Sequence, residues 1–286
     1  MRLPSNLSLL ALATATSLPI GTGTLRHVKR GICTVSSFND PLVDDVPKII
    51  AALRECGDTG TIIFPAGKTF NIRSPLDLSL CSRCQIQLDG TLKVSEDWDY
   101  WQKQSAAILI PNASNMVFTS SSKDDSRGKV DGNDFGWRPP FAPIVPRNMP
   151  TLISISNGSS QIYIRNILTQ HAPGTLFHVS SGTSAIHFDD VENMSPAKIG
   201  YLIENAEHVY IGNNIIRATD SCFSIRPNTT NIEMTSLRCS TYYEANVPDD
   251  GPNAVELRLS SDESENWLRN IVVKDLVTTV SVDTKF

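Results

Sequence analysis

The chain has 286 residues, 40% of them hydrophobic and 19% charged, which suits one large core or one elongated repeat domain and excludes a disordered chain. Its net charge of −5 comes without a basic stripe, which excludes nucleic acid as a partner. An acidic substrate is not excluded, because a few local basic residues decide such binding.

The first predicted element is an export signal. Arg2 precedes an apolar run over residues 7–20, too short to span a membrane, and no later run is long enough either, so no membrane partner is expected. We place the signal peptide at 1–22, with a second processing site after Lys29-Arg30. An ordinary leader with two chance basic residues is the plainer alternative. Next comes the clearest helical stretch, residues 45–56, whose Val46, Ile49, Ile50, Leu53 and Cys56 form one apolar stripe. Gly57 ends it. Such a helix is suited to cover the N-terminal end of a core.

Six cysteines (Cys33, Cys56, Cys81, Cys84, Cys222 and Cys239) in an exported chain favour disulfides, with about 15 connectivities open. Cys81-x-x-Cys84 has no second such pair and no paired histidines nearby, which argues against zinc. Sequons at Asn112, Asn157, Asn193 and Asn228 fit a secreted glycoprotein.

From residue 160 onward a short pattern repeats: Ser160-Gln-Ile-Tyr-Ile-Arg-Asn-Ile167, Ser184-Ala-Ile-His-Phe-Asp-Asp-Val191, Glu207-His-Val-Tyr-Ile-Gly-Asn-Asn-Ile215 and Asn231-Ile-Glu-Met-Thr-Ser-Leu237. The leading residues Ile162, Ile186, Val209 and Ile232 are spaced by 24, 23 and 23, and within each copy apolar and polar residues alternate. Fainter copies lie at Asn115-Met-Val-Phe118 and Leu268-Arg-Asn-Ile-Val-Val273. A period in the low twenties with one short strand per copy predicts a solenoid. The Leu-x-x-Leu-x-Leu pattern of leucine-rich repeats is absent. The expected fold is therefore an all-β, single-stranded, right-handed parallel β-helix over 31–286 with an N-terminal capping helix. A sandwich with strands spaced by chance is the competing reading.

Several stretches in order resemble one family. Asp44-Asp45-Val-Pro-Lys-Ile-Ile-Ala-Ala-Leu, Cys56-Gly and Gly60-Thr-Ile-Ile-Phe-Pro-Ala-Gly67 are similar to the N-terminal region of fungal polygalacturonase-like proteins. Leu88-Asp-Gly-Thr-Leu-Lys-Val-Ser95 with Tyr100-Trp101 resembles their exo-acting branch. Lys129-Val-Asp-Gly-Asn133 with Trp137 resembles a further family stretch. The resemblance is to glycoside hydrolase family 28, in its exo-polygalacturonase (galacturan 1,4-α-galacturonidase) branch. It implies inverting hydrolysis of pectic polysaccharide by carboxylates and water, with no metal or organic cofactor. A monomer is expected.

The resemblance also assigns positions. Thr219-Asp220-Ser221-Cys222 is similar to the family's Asp-Asp-Cys, which makes Asp220 the proton donor and Ser221 a replacement for the second carboxylate. Ala197-Lys-Ile-Gly200 stands where the family carries Asn-Thr-Asp-Gly, so Ile199 replaces a water-activating aspartate. Asn253 stands where the Gly-His-Gly histidine is expected. Arg226 matches a basic position suited to a uronate carboxylate. Cys222–Cys239 matches a family disulfide; Cys33–Cys56 is expected separately, without a family match. The Asp189, Asp190, Glu192 and Glu204 carboxylates and the five histidines (His27, His171, His178, His187 and His208) match no catalytic position. The family's Arg-x-Lys clamp is expected about where the sequence stops at Phe286. Three readings follow: an exo-hydrolase, a catalytically impaired member that only binds pectic oligosaccharides, or a truncated gene product.

Overall fold

The protein is described by a computed structural model covering residues 31–133, 149–244, 253–257 and 268–283, with side chains over 31–133, 149–241 and 268–279. Every strand pairing within it is parallel, and the strands stack into three sheets that wind round one core. This is a parallel β-helix.

The first sheet stacks Leu76–Asp77, Ala106–Pro111, Thr151–Ser156, Thr175–Val179, Ala197–Ile203, the end of Ile215–Ile225, and Asn253–Leu257. The second begins at Ile32–Thr34 and continues through Thr61–Phe64, Gln85–Leu88, Ser114–Thr119, Ser160–Gln170, Thr183–Asn193, Ala206–Gly212, Thr229–Glu244 and Leu268–Asp283. The third takes Thr69–Ile72, Thr91–Val94, Lys129–Asp131 and the later halves of the long strands. Parallel neighbours need a crossover, and here the crossover is the rest of the coil itself.

The repeated apolar residues become one inward column. Met116, Ile162, Ile186, Val209, Ile232 and Ile271 are register partners in succession on the second sheet. The first five are fully or almost fully buried. Each burial of such a side chain contributes about 1.5–3 kcal/mol. The faint copies at 115–118 and 268–273 therefore belong to the same stack as the strong ones.

The corners between sheets repeat as well. Asn115, Gln161, Ala185, His208, Asn231 and Asn270 all have φ between 52° and 56°. Asn166, Asp190, Asn213, Ser236 and Asp275 do so where the second sheet gives way to the third. Asparagine and aspartate tolerate this left-handed region best among residues with a side chain, which explains the asparagine at turns in the sequence.

The helix forms at Val46–Cys56, with Val46, Ile49, Leu53 and Cys56 buried and Ile50 only partly so. Gly57 follows as its C-cap, its N–H donating to Leu53 O at 2.7 Å. Asp45 just before it is fully buried and ties residues 37–38 to the coil at Asn71. Its carboxylate accepts from Ser37 Oγ at 3.0 Å, Phe38 N at 2.7 Å and Asn71 N at 2.8 Å. Residues 1–30, which contain the expected signal peptide 1–22 and the Lys29-Arg30 site, lie outside the described residues, as do Trp137 and the Asn253 side chain.

Candidate active site

On the first sheet Ile199 is the register partner of Ser221, and Ser221 of Asn253. The three positions that the family resemblance marks as substituted thus form one column on successive coils, each step about 4.8 Å. Ile199 and Ser221 are 9% and 2% exposed, and Ser221 Oγ has no hydrogen-bond partner among the described residues. A serine hydroxyl does not ionise near neutral pH, so neither side chain supplies a base.

Asp220 sits where the register slips. Ala197 pairs with Ala218 but Ile199 with Ser221, so Lys198 alone faces Thr219 and Asp220. This is a β-bulge, a device that re-aims a side chain at a sheet rim. Asp220 is exposed there, beside the exposed Lys198. Gly200 is required by the close approach of the next coil, since a Cβ would lie 2.4 Å from Cys222 O and 2.5 Å from Ile216 Cγ2.

Arg226 directly follows the strand that carries Asp220 and Ser221. It stands five residue steps after Ser221, roughly 16 Å at about 3.3 Å per residue. Its guanidinium pairs with Glu204 Oε2 at 3.7 Å, and Glu204 Oε1 accepts from His178 Nε2 at 2.9 Å. These contacts, the His178 hydrogen bond first, hold the Glu204 carboxyl below its usual range. The spacing also rules Glu204 out as a hydrolytic partner of Asp220, because an inverting pair stands about 6.5–9.5 Å apart.

The stability consequence has a definite sign. A carboxylate depressed in the folded state stabilises fully above its unfolded pKa, and that contribution is lost as pH falls through the lower folded value. Wild type is therefore expected to lose more stability than Glu204→Gln between pH 7 and the region below 4.5, the ordinary glutamate value. Urea midpoints of both proteins at pH 7 and pH 3 read this directly. Parallel losses would show that the His178–Glu204–Arg226 group adds nothing to acid sensitivity.

The family profile described as "Glycosyl hydrolases family 28" matches residues 56–243. The chain belongs to glycosyl hydrolase family 28. The "Endo-xylogalacturonan hydrolase A" of Aspergillus tubingensis is 30% identical over 252 residues, covering 85% of this chain and 59% of that protein. The "Probable endo-xylogalacturonan hydrolase A" of Emericella nidulans is 29% identical over 236 residues, covering 80% and 58%. The chain therefore spans about three fifths of the length of these two relatives. Among solved structures, the A. tubingensis endo-xylogalacturonan hydrolase matches with a TM-score of 0.71 at 22% identity, over 90% of this chain and 77% of that one. The polygalacturonase of Erwinia carotovora matches with 0.62 at 15%, over 90% and 81%. At these identities the structural likeness is one of fold.

The remaining family-28 stretches serve the scaffold. Trp101 is fully buried and donates from Nε1 to Ser95 Oγ at 3.0 Å. Asp131 of the Val-Asp-Gly stretch is nearly buried. It accepts from Asn133 N at 2.9 Å and Gln170 Nε2 at 2.8 Å, and its Oδ1 lies 3.0 Å from His171 Nδ1. All six cysteines form disulfides: Cys33–Cys56, Cys81–Cys84 and Cys222–Cys239. Cys222–Cys239 stands directly beside Ser221.

Some surface acids are less free than the sequence implies. Arg127 reaches Asp190 and Glu192, both at 3.1 Å, and Arg217 lies 3.6 Å from Glu192. Of the four sequons, Asn112 and Asn157 are exposed and Asn228 is half-buried. Asn193 is fully buried, its amide donating to Arg217 O at 3.0 Å, so the folded chain does not offer it to a glycan. No group of three or more metal-ligating side chains gathers among the described residues, and no described helix is long and apolar enough to cross a membrane.

Proposed function

We propose that this protein works outside the cell on a pectic polysaccharide, holding its galacturonan backbone and hydrolysing it very slowly. The observation that carries the reading is the backbone column Ile199–Ser221–Asn253, in which isoleucine, serine and asparagine occupy the positions where the family resemblance expects two carboxylates and a histidine. Asp220 is left as a proton donor without a partner to activate water. Loss of one general acid–base group lowers a rate by about 10²–10⁴-fold. Arg226 is the anchor for a uronate, which must draw it away from Glu204. The names of the relatives favour xylogalacturonan as the polysaccharide. The three disulfides support export through an oxidising compartment, after cleavage of 1–22 and trimming at Arg30.

The test measures new reducing ends and bound fraction with xylogalacturonan and with oligogalacturonates. Expected are saturable binding, weakened by Arg226→Ala, and turnover about 10²–10⁴-fold below a relative with both carboxylates. Residual turnover should vanish in Asp220→Asn. Turnover equal to such a relative sinks the reading. A second reading, the exo-galacturonidase, is favoured by the 88–101 stretch. It requires monogalacturonate of inverted configuration as the first product, whereas internal cleavage releases longer fragments.

A further inference from the structure

The second sheet carries, on its outer surface, a feature the hydrolase reading does not use. Val117, Tyr163, His187, Tyr210, Glu233 and Val272 are successive register partners. Tyr163, His187 and Tyr210 present rings on consecutive coils. Tyr163 and His187 stack at 4.6 Å with 14° between planes, and His187 and Tyr210 lie 5.9 Å apart at 41°. Tyr163 is 39% exposed. Tyr210 bends over Gly212, where a Cβ would meet its hydroxyl at 2.4 Å and its ring carbons at 2.7 Å. A glycine at that rung lets the ring lie across the strand. Burial lowers the His187 pKa, which keeps the imidazole neutral near pH 7 and the stack free of a buried charge.

Polar groups flank these rings two or three residues farther along each strand. Arg165 is exposed and has no ion-pair partner among the described residues, although its register neighbour is Asp189. Asp189 is held instead by Asn213, whose Nδ2 donates to Oδ1 at 2.9 Å. Tyr163, Arg165, His187, Asp189, Tyr210 and Asn213 together line a depression of about 290 Å³.

We infer that this face is a second, non-catalytic glycan-binding track, which takes a uronate-containing polysaccharide with sugar rings over Tyr163–His187–Tyr210 and a carboxylate on Arg165. The C–H face of a pyranose carries slight positive charge and meets the negative face of an aromatic ring. The guanidinium fork matches a carboxylate. Asp189, fixed by Asn213, accepts from sugar hydroxyls. A ring stack that served only to brace the coils would have no use for an unpaired cation beside it. The choice of a uronate chain rests on the pectic reading above, while the track itself rests on this face alone.

The test is binding of long-chain polygalacturonate, with a neutral β-1,4-glucan as comparison, by calorimetry or affinity electrophoresis. Tyr163→Ala/Tyr210→Ala is expected to weaken polygalacturonate binding about tenfold or more, and Tyr163→Phe/Tyr210→Phe to retain it. Arg165→Gln, a surface change with no packing role, should weaken the acidic chain severalfold and leave any glucan binding unchanged. Asp220→Asn should leave this component intact. The inference is overturned if Arg165→Gln and the folded alanine pair both bind polygalacturonate within twofold of wild type, or if glucan binds as tightly as polygalacturonate. Failure of the pectic reading looks different: Arg226→Ala and Asp220→Asn then alter neither binding nor turnover, whatever the ring variants do.

Discussion

Tyr201→Ala is expected to lower the unfolding free energy by about 3–5 kcal/mol, and Tyr201→Phe by about 1–3 kcal/mol. The first figure follows from a fully buried ring packed between its coil neighbours. Phe177 lies at 5.0 Å and 14° on one side, Phe223 at 5.5 Å and 4° on the other, and Phe188 meets it edge-on at 4.9 Å. Removing it leaves a cavity that two rigid walls cannot close. The second figure follows from one hydrogen bond. Asn214, also fully buried, donates from Nδ2 to the Tyr201 hydroxyl at 2.9 Å while its Oδ1 accepts from Val191 N at 2.7 Å. Phenylalanine leaves that amide without an acceptor. Urea midpoints of the two variants check the ordering, and a phenylalanine variant as unstable as the alanine one would mean that the hydroxyl, not the ring, dominates.

The second large effect concerns the bridge beside the bulge. Replacing both Cys222 and Cys239 by alanine is expected to cost about 3 kcal/mol, because the bond closes a loop of sequence separation 17. Cys33–Cys56, with separation 23, should matter equally on the chain-entropy argument. Cys81–Cys84 closes only three residues and should contribute about half as much. Denaturant unfolding of the three double variants gives the ranking. An equal loss from all three would show that native packing around the sulfurs, and not loop closure, sets their value. Cys222–Cys239 also has a local role. It ties the strand carrying Asp220 and Ser221 to the following coil.

The coil period was legible in the sequence because inward residues must repeat when each coil rests on the last. The inward column Ile162–Ile186–Val209–Ile232 is that requirement written out, and the asparagines at the corners mark the left-handed turns. The column Ile199–Ser221–Asn253 was legible only through family likeness, since no local pattern distinguishes it from ordinary strand. The ties of Arg226 were not legible at all. Glu204 and His178 precede it by one and two coils, and only the strand register brings them together. The same limit applies to Asn193, whose sequon states a chemical pattern but nothing about burial. Tyr163, His187 and Tyr210 were within the quoted repeat copies. Their outward phase, opposite to the core residues, was the signal that they form a line.

The two columns of left-handed corners have a consequence for how such a molecule changes over time. They mark where the coils from Asn115 onward bend between the sheets, so the first and second sheets follow one another at the same place in each of those coils. Each coil contacts chiefly its neighbours, and a whole coil is therefore the natural unit to gain or lose. A duplication that lengthened the aromatic line by one rung would lengthen the Asp220 face by one rung in the same event. The two surfaces are free to drift in chemistry residue by residue, but they are locked together in length.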